Sequence, residues 1–189
     1  MVPMKNNSQR YGVLTQLLHW SVAIIIITEI SLVYIRDYIP ETDPLNSLFI
    51  YIHKALGVVA IGLGILFVLY HLISIKPESV PGLSSIEKQL SLLARRLLLI
   101  MIIVMPISGF LMSIFNARPI NMFLFVIPAL ETRDEFWGNL FALIHVYVSY
   151  LLIAVVALHI AAALRHHFWL HDNVLRRMLP VKLKKEFSN

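Results

Sequence analysis

An all-α integral membrane protein is what this sequence predicts: a four-helix bundle with both termini cytoplasmic. Apolar residues make up 58% of the chain and charged residues only 14%, with a mean hydropathy of +0.76. Soluble domains carry about 45–50% and about 25% respectively. Four stretches, at about 13–35, 48–75, 90–115 and 140–164, each reach the roughly 20 apolar residues that a helix needs to cross ~30 Å of hydrocarbon. Lys and Arg are also unevenly divided between alternate connections, which sets the orientation. The four stretches fill most of the chain, so residues 1–189 read as a single transmembrane domain with a basic tail at 165–189.

The first stretch follows Lys5 and Arg10 and begins "VLTQLLHWSVAIIII". Its apolar core is longer than the ~7–15 residues of a signal peptide, and "SLVYIRDY" offers no small-residue cleavage site, so the helix is expected to be retained. In the third stretch Pro106, within "VMPISGF", is expected to kink the helix, with Ser108 and Gly109 permitting close packing. The one long connection, Asn116 to Gly138, mixes an apolar patch, two prolines and a charge cluster. It is too broken to span, and is expected on the outer face as a short interfacial helix.

Twelve basic residues fall on one side: Lys5, Arg10, Lys76, Lys88, Arg95, Arg96, Arg165, Arg176, Arg177, Lys182, Lys184 and Lys185. Only Arg36, Lys54, Arg118 and Arg133 fall on the other. The net charge of +5 is therefore accounted for by membrane topology and anionic headgroups, and nucleic acid is not needed to explain it. The chain has no cysteine. That excludes disulfides, thiolate-held iron–sulfur clusters and covalently attached haem.

Ionisable groups inside membrane helices are costly and usually functional. Of eight histidines, His166, His167 and His171 lie on the polar tail, which leaves His19, His53, His71, His145 and His159. His145 and His159 share one helix, 14 residues apart, which is ~21 Å of rise with a return to nearly the same face. Up-and-down topology places His19 at the depth of His159, and His53 at the depth of His145. The pairs His19–His159 (cytoplasmic side) and His53–His145 (outer side) are therefore candidate axial ligand sets for two stacked haem irons. A single membrane histidine is as readily a packing residue or a proton relay; four at two matched depths favour ligation. Zinc is a poor rival, because no thiol or carboxylate completes a tetrahedral set. His71, 18 residues beyond His53, reads as interfacial, with replacement of another ligand as the alternative. Glu29 is either a hydrogen-bonded carboxyl at the outer boundary or a proton-handling group near a quinone. Lys54 is either a partner for a haem propionate or a snorkelling side chain. The aromatics Phe123, Phe125 and Trp137 form either a wall of a quinone pocket or an interfacial belt.

The stretches "LLHW" at 17–20, "HKALG" at 53–57, "MPISGFLMS" at 105–113 and above all "ALRHHFWLHDNVLRRMLP" at 163–180 resemble the bacterial cytochrome b561 family, over nearly the whole chain. The resemblance implies two haem b groups, with axial positions at His19, His53, His145 and His159. It departs at "LARRL", where family members often have a histidine and this chain has Arg95. The chain is similar to the superoxide oxidase branch, which implies oxidation of superoxide outside the bacterial inner membrane and reduction of ubiquinone. Lys54 and Arg118 are the outer-face candidates for a catalytic role. The outer tally opposes this reading, since Asp37, Glu41, Asp43, Glu131, Asp134 and Glu135 outnumber the four basic residues. The alternative is a relay subunit that carries electrons between a periplasmic or membrane redox partner and the quinone pool. A haem-free helical bundle is a further rival, and it leaves the matched histidines unexplained.

Overall fold

The computed structural model describes residues 2–79 and 83–181. It is mostly helical, and four helices are long and apolar enough to cross a membrane: α1 (Val13–Arg36), α2 (Pro44–Ile73), α3 (Ser85–Phe115) and α4 (Glu135–Phe168). A short antiparallel pair, β1 (Ile120–Asn121) and β2 (Val126–Ile127), lies between α3 and α4. A 3-10 turn, Arg176–Met178, follows α4. Lys182, Lys184 and Lys185 of the expected basic tail lie outside the described residues. Large apolar side chains stand in the open along the helices, among them Ile24 at 63%, Leu72 at 67% and Leu158 at 69% exposure. Such surfaces are untenable in water and suited to lipid tails.

The helices run longer than their apolar cores because polar caps extend them. Asp43 Oδ1 accepts from Leu45 N (2.9 Å), with Pro44 in the first helical position of α2, four residues before the expected start. α3 begins on a reciprocal capping box: Ser84 Oγ accepts from Glu87 N (3.2 Å), and Glu87 Oε2 accepts from Ser84 N (3.0 Å). Asp134 Oδ1 accepts from Trp137 N (3.1 Å), which starts α4 five residues early.

The chain forms two compact units. One draws on Met1–Trp20, Phe67–Leu99 and Leu152–Asn189. Beside the apolar Leu18, Leu152 and Val155 it buries the polar Asn6, Arg10, Thr15 and Gln16, which hydrogen bonds tie together. Asn6 Oδ1 accepts from Gly12 N (2.8 Å) and Thr15 Oγ1 (2.6 Å), while Asn6 Nδ2 donates to Ile75 O (2.9 Å). Arg10 donates to Leu179 O (2.7 Å) and Val181 O (3.1 Å), Gln16 to Arg177 O (3.3 Å), and Trp20 Nε1 to Met178 O (2.9 Å). The "RHHFWLHDN" stretch is organised by His166 Nδ1 and Asp172 Oδ2, 2.5 Å apart, across a turn in which His171 is left-handed (φ 53°). Much of what is distinctive in that sequence therefore serves to close this unit.

The other unit comprises Ser21–Leu66 and Ile100–Leu151. Pro106, inside α3, cannot donate to the carbonyl of Ile102. Gly64 of α2 lies against that oxygen, where an added Cβ would stand 2.9 Å from it, so the absent side chain lets one helix close over a carbonyl the other leaves bare. α3 ends in a Schellman turn: Arg118 N donates to Ser113 O (3.0 Å) and Ala117 N to Ile114 O (3.2 Å), with Ala117 left-handed at φ 54°.

The expected interfacial helix in 116–138 is not formed. Ile120 pairs with Ile127 and Asn121 with Val126, and the turn closes through Met122 N to Phe125 O (2.8 Å) with Phe123 left-handed (φ 60°). The β-branched residues Ile120, Val126 and Ile127, with prolines on either side, favour an extended pair over a helix. Tyr51 of α2 fixes the hairpin, its hydroxyl accepting from Phe123 N (3.1 Å) and its ring edge-on to Phe123 at 4.9 Å.

Candidate functional site

Each unit contains one of the expected histidine pairs. In the first, His19 of α1 and His159 of α4 face each other with ring centroids 6.2 Å apart and an interplanar angle of 60°. His19 is flanked edge-on by Trp20 at 5.3 Å and by Phe67 at 6.5 Å. The Trp20 bond to Met178 O ties this turn of α1 to the segment after α4. His71 packs on Phe67 at 6.5 Å, outside the facing pair. Arg95 is near enough for its charge to act on both His71 and His159.

In the second unit, His53 of α2 and His145 of α4 stand with centroids 6.2 Å apart at 80°. Neighbours orient both rings. His145 Nδ1 lies 3.1 Å from Met105 O and 3.2 Å from Ser108 Oγ, and Ser108 Oγ itself donates to Met105 O (2.8 Å). A carbonyl can only accept, so Nδ1 carries the proton and Nε2 keeps a free lone pair. Gly109 makes room for this ring: a Cβ there would stand 2.7 Å from His145 Cε1. His53 Nδ1 is in contact with Glu29 Oε2, which again leaves Nε2 available. Sequence reasoning singled out Glu29 without finding its partner, His53. Its depth match to His53 was the available signal.

The pairs suit a metal bound between two imidazoles. Metal–imidazole bonds of about 2.0 Å set two ring centroids roughly 6 Å apart across a shared ion, close to the 6.2 Å observed twice. Among the described residues no group of three or more His, Cys, Asp or Glu could hold a metal ion. The remaining donors would have to come from the bound group itself, as the four nitrogens of a porphyrin do. Gly57, one turn beyond His53, is half-buried yet has nothing within 4 Å of where its Cβ would be, an opening beside the ligand position. The residues present therefore fit haem.

Lys54 and Arg118 lie close enough to act on each other electrostatically. Among the described residues, none of the ion pairs engages either of them. Arg36 instead bonds Asn46 Oδ1 (3.1 Å), and Arg133 bonds Asn139 Oδ1 (2.7 Å). Phe123 and Phe125 line a cavity of about 280 Å³ with Tyr51, Asn121, Leu124 and Val126. Trp137 is elsewhere, stacked on Phe141 at 5.8 Å.

Apolar spanning helices that pair imidazoles 6.2 Å apart, with Nε2 left free at His53 and His145, are the architecture of a membrane cytochrome. The family model of prokaryotic cytochrome b561 matches residues 10–181, and the chain belongs to that family. Two relatives support the assignment. Cytochrome b561 homolog 2 of Escherichia coli (strain K12) is 26% identical over 175 residues, covering 92% of this chain and 93% of its own. Probable superoxide oxidase CybB of Yersinia pestis is 26% identical over 175 residues, covering 92% and 98%. The protein is accordingly a multi-pass bacterial membrane protein of electron transfer with haem b as its cofactor.

Proposed function

We propose that the protein is a dihaem superoxide:ubiquinone oxidoreductase of the bacterial inner membrane, with His19 and His159 the axial ligands of one haem b and His53 and His145 those of the other. The observation that carries the dihaem reading is the recurrence of one geometry, two imidazoles 6.2 Å apart, at both expected pairs. Haem b, when bound, supplies a one-electron carrier between the two substrates. If both imidazoles of each pair hold the haem, the protein leaves no ligand position for a substrate, and electron exchange would proceed without substrate binding at the metal.

The basic bias supports cytoplasmic termini and puts Lys54 and Arg118 on the outer side. There the two cations, Lys54 being next to His53 in the chain, are unneutralised by any ion pair among the described residues and form a local positive patch on a face that is acidic on average. A patch of this kind attracts an anion as small as superoxide. The balanced reaction is two superoxide, one ubiquinone and two protons giving two dioxygen and one ubiquinol. The name carried by the Yersinia pestis relative supports the same substrate.

The test is stopped-flow mixing of oxidised, purified protein with superoxide while the haem α-band is followed. Fast reduction, then reoxidation by ubiquinone, is the expected result. A band that stays oxidised would assign the protein to the relay class and direct the search to a redox partner.

A further inference from the structure

Glu29 stands out because a carboxylate within a membrane helix is expensive unless a specific partner offsets it. Its side chain is only 15% exposed and Oε2 touches His53 Nδ1; apart from that contact, Oε1, Oε2 and His53 Nδ1 are all buried with no hydrogen-bond partner among the described residues. Nothing in the superoxide or quinone chemistry proposed above uses it. The opposite member of the pair is treated differently: the Nδ1 of His145 meets a backbone carbonyl and a hydroxyl, both neutral. The two imidazoles of one pair thus have acceptors of unequal strength. A hydrogen bond to an ionised acceptor is roughly twice as strong as a neutral one, and it draws the Nδ1 proton away from the ring. The imidazole becomes a more basic ligand, which favours the higher charge on the metal it binds.

We infer that Glu29 is a positioning and tuning residue: it holds the His53 ring with Nε2 presented to the haem and lowers the midpoint potential of that haem alone. The inference rests on His53 being a haem ligand. Glu29 reaches the metal only through His53 and takes no part in binding substrate. The contrast with His145 makes the effect one-sided, because the neutral acceptors there cannot supply the same pull.

The experiment is a potentiometric titration of the α-bands of purified wild-type and Glu29→Gln protein, with haem content measured on the same samples. Gln keeps the size of the side chain and an acceptor oxygen but removes the charge. The expected result is two haems in both proteins, one midpoint unchanged, and the other raised by the equivalent of about tenfold in its one-electron equilibrium, or about 59 mV. Two haems with both midpoints unmoved overturn the inference, and so do two midpoints moved together. Loss of one haem from Glu29→Gln with both kept in Glu29→Asp, where the charge remains, supports it. Loss from both variants overturns it in favour of simple packing. A wild-type protein with fewer than two haems would instead bring down the ligand assignment itself, so the two failures are distinguishable.

Discussion

Replacing Gly109 with alanine puts the ligand geometry under direct strain. The added Cβ would stand 2.7 Å from Cε1 and 3.0 Å from Nδ1 of His145, where ordinary contact begins at 3.4 Å. The ring must therefore retreat by about 0.7 Å, or α3 must back away from α4. Neither movement is free. Retreat stretches the 3.1 Å bond from His145 Nδ1 to Met105 O and turns Nε2 away from its axis. Withdrawal of α3 loosens the contact of Ile102 with Gly64. Overpacking of this size costs ~1–3 kcal/mol. Applied to one binding site, that is about a five- to 150-fold loss of affinity for the haem between His53 and His145. The assay is haem content per protein after purification, with a spectrum of the reduced α-band, for wild type and Gly109→Ala. The expected outcome is depletion or spectral shift of one haem and an unaltered second haem. Full content with both bands unchanged would refute the premise that His145 is held at a ligating distance by this contact. Gly57→Ala probes the same site differently, since nothing within 4 Å crowds a Cβ there in the protein alone. A bound haem is what that methyl would meet.

His19→Ala should remove one haem and His145→Ala the other; retention of both in either variant, measured by haem content, would overturn the pairing. Lys54→Gln and Arg118→Gln should each slow reduction by superoxide several-fold at low ionic strength while sparing haem content, and the wild-type rate should fall as salt screens the patch. Rates in the two variants equal to wild type at every salt concentration would show that the patch does not guide the substrate. Ala117→Gly should raise thermal stability in detergent by up to about 1 kcal/mol, because alanine is strained in the left-handed region that glycine adopts freely. A fall in the unfolding temperature would mean that the Schellman turn needs the methyl group for packing.

The helices were legible because hydrocarbon imposes length and apolarity on any spanning segment, and that demand is written residue by residue. Their starts were not, since α2, α3 and α4 begin on Asp43, Ser84 and Asp134, polar residues outside the apolar runs. The hairpin at 120–127 escaped because an apolar patch at the surface scores alike as interfacial helix or strand; β-branching and flanking prolines were the better guide. The histidine pairing followed from topology, as each histidine has a depth that counting along a helix supplies. Hydrogen-bond partners cannot be counted in that way. Glu29 meets His53 from another helix, and the Ser108–Met105 arrangement depends on how α3 faces α4. The outer-side charge tally could not show pairing either: Arg36 and Arg133 bond asparagine side chains, whereas Lys54 and Arg118 lie near each other.

The carbonyls that receive Arg10, Gln16 and Trp20 belong to residues 177, 178, 179 and 181. They are nearly the last part of the described chain to leave the ribosome, whereas the residues they anchor are among the first. Once residue 151 has been made, His53, His145 and every acceptor on their rings already exist. The turn of α1 that bears His19 must wait for the far end of the polypeptide before its side chains find their seats. The two histidine pairs thus gain their surroundings at different points along the chain: a polypeptide ending shortly after α4 would carry His53, His145 and every acceptor on their rings, but lack the carbonyls that anchor the start of α1.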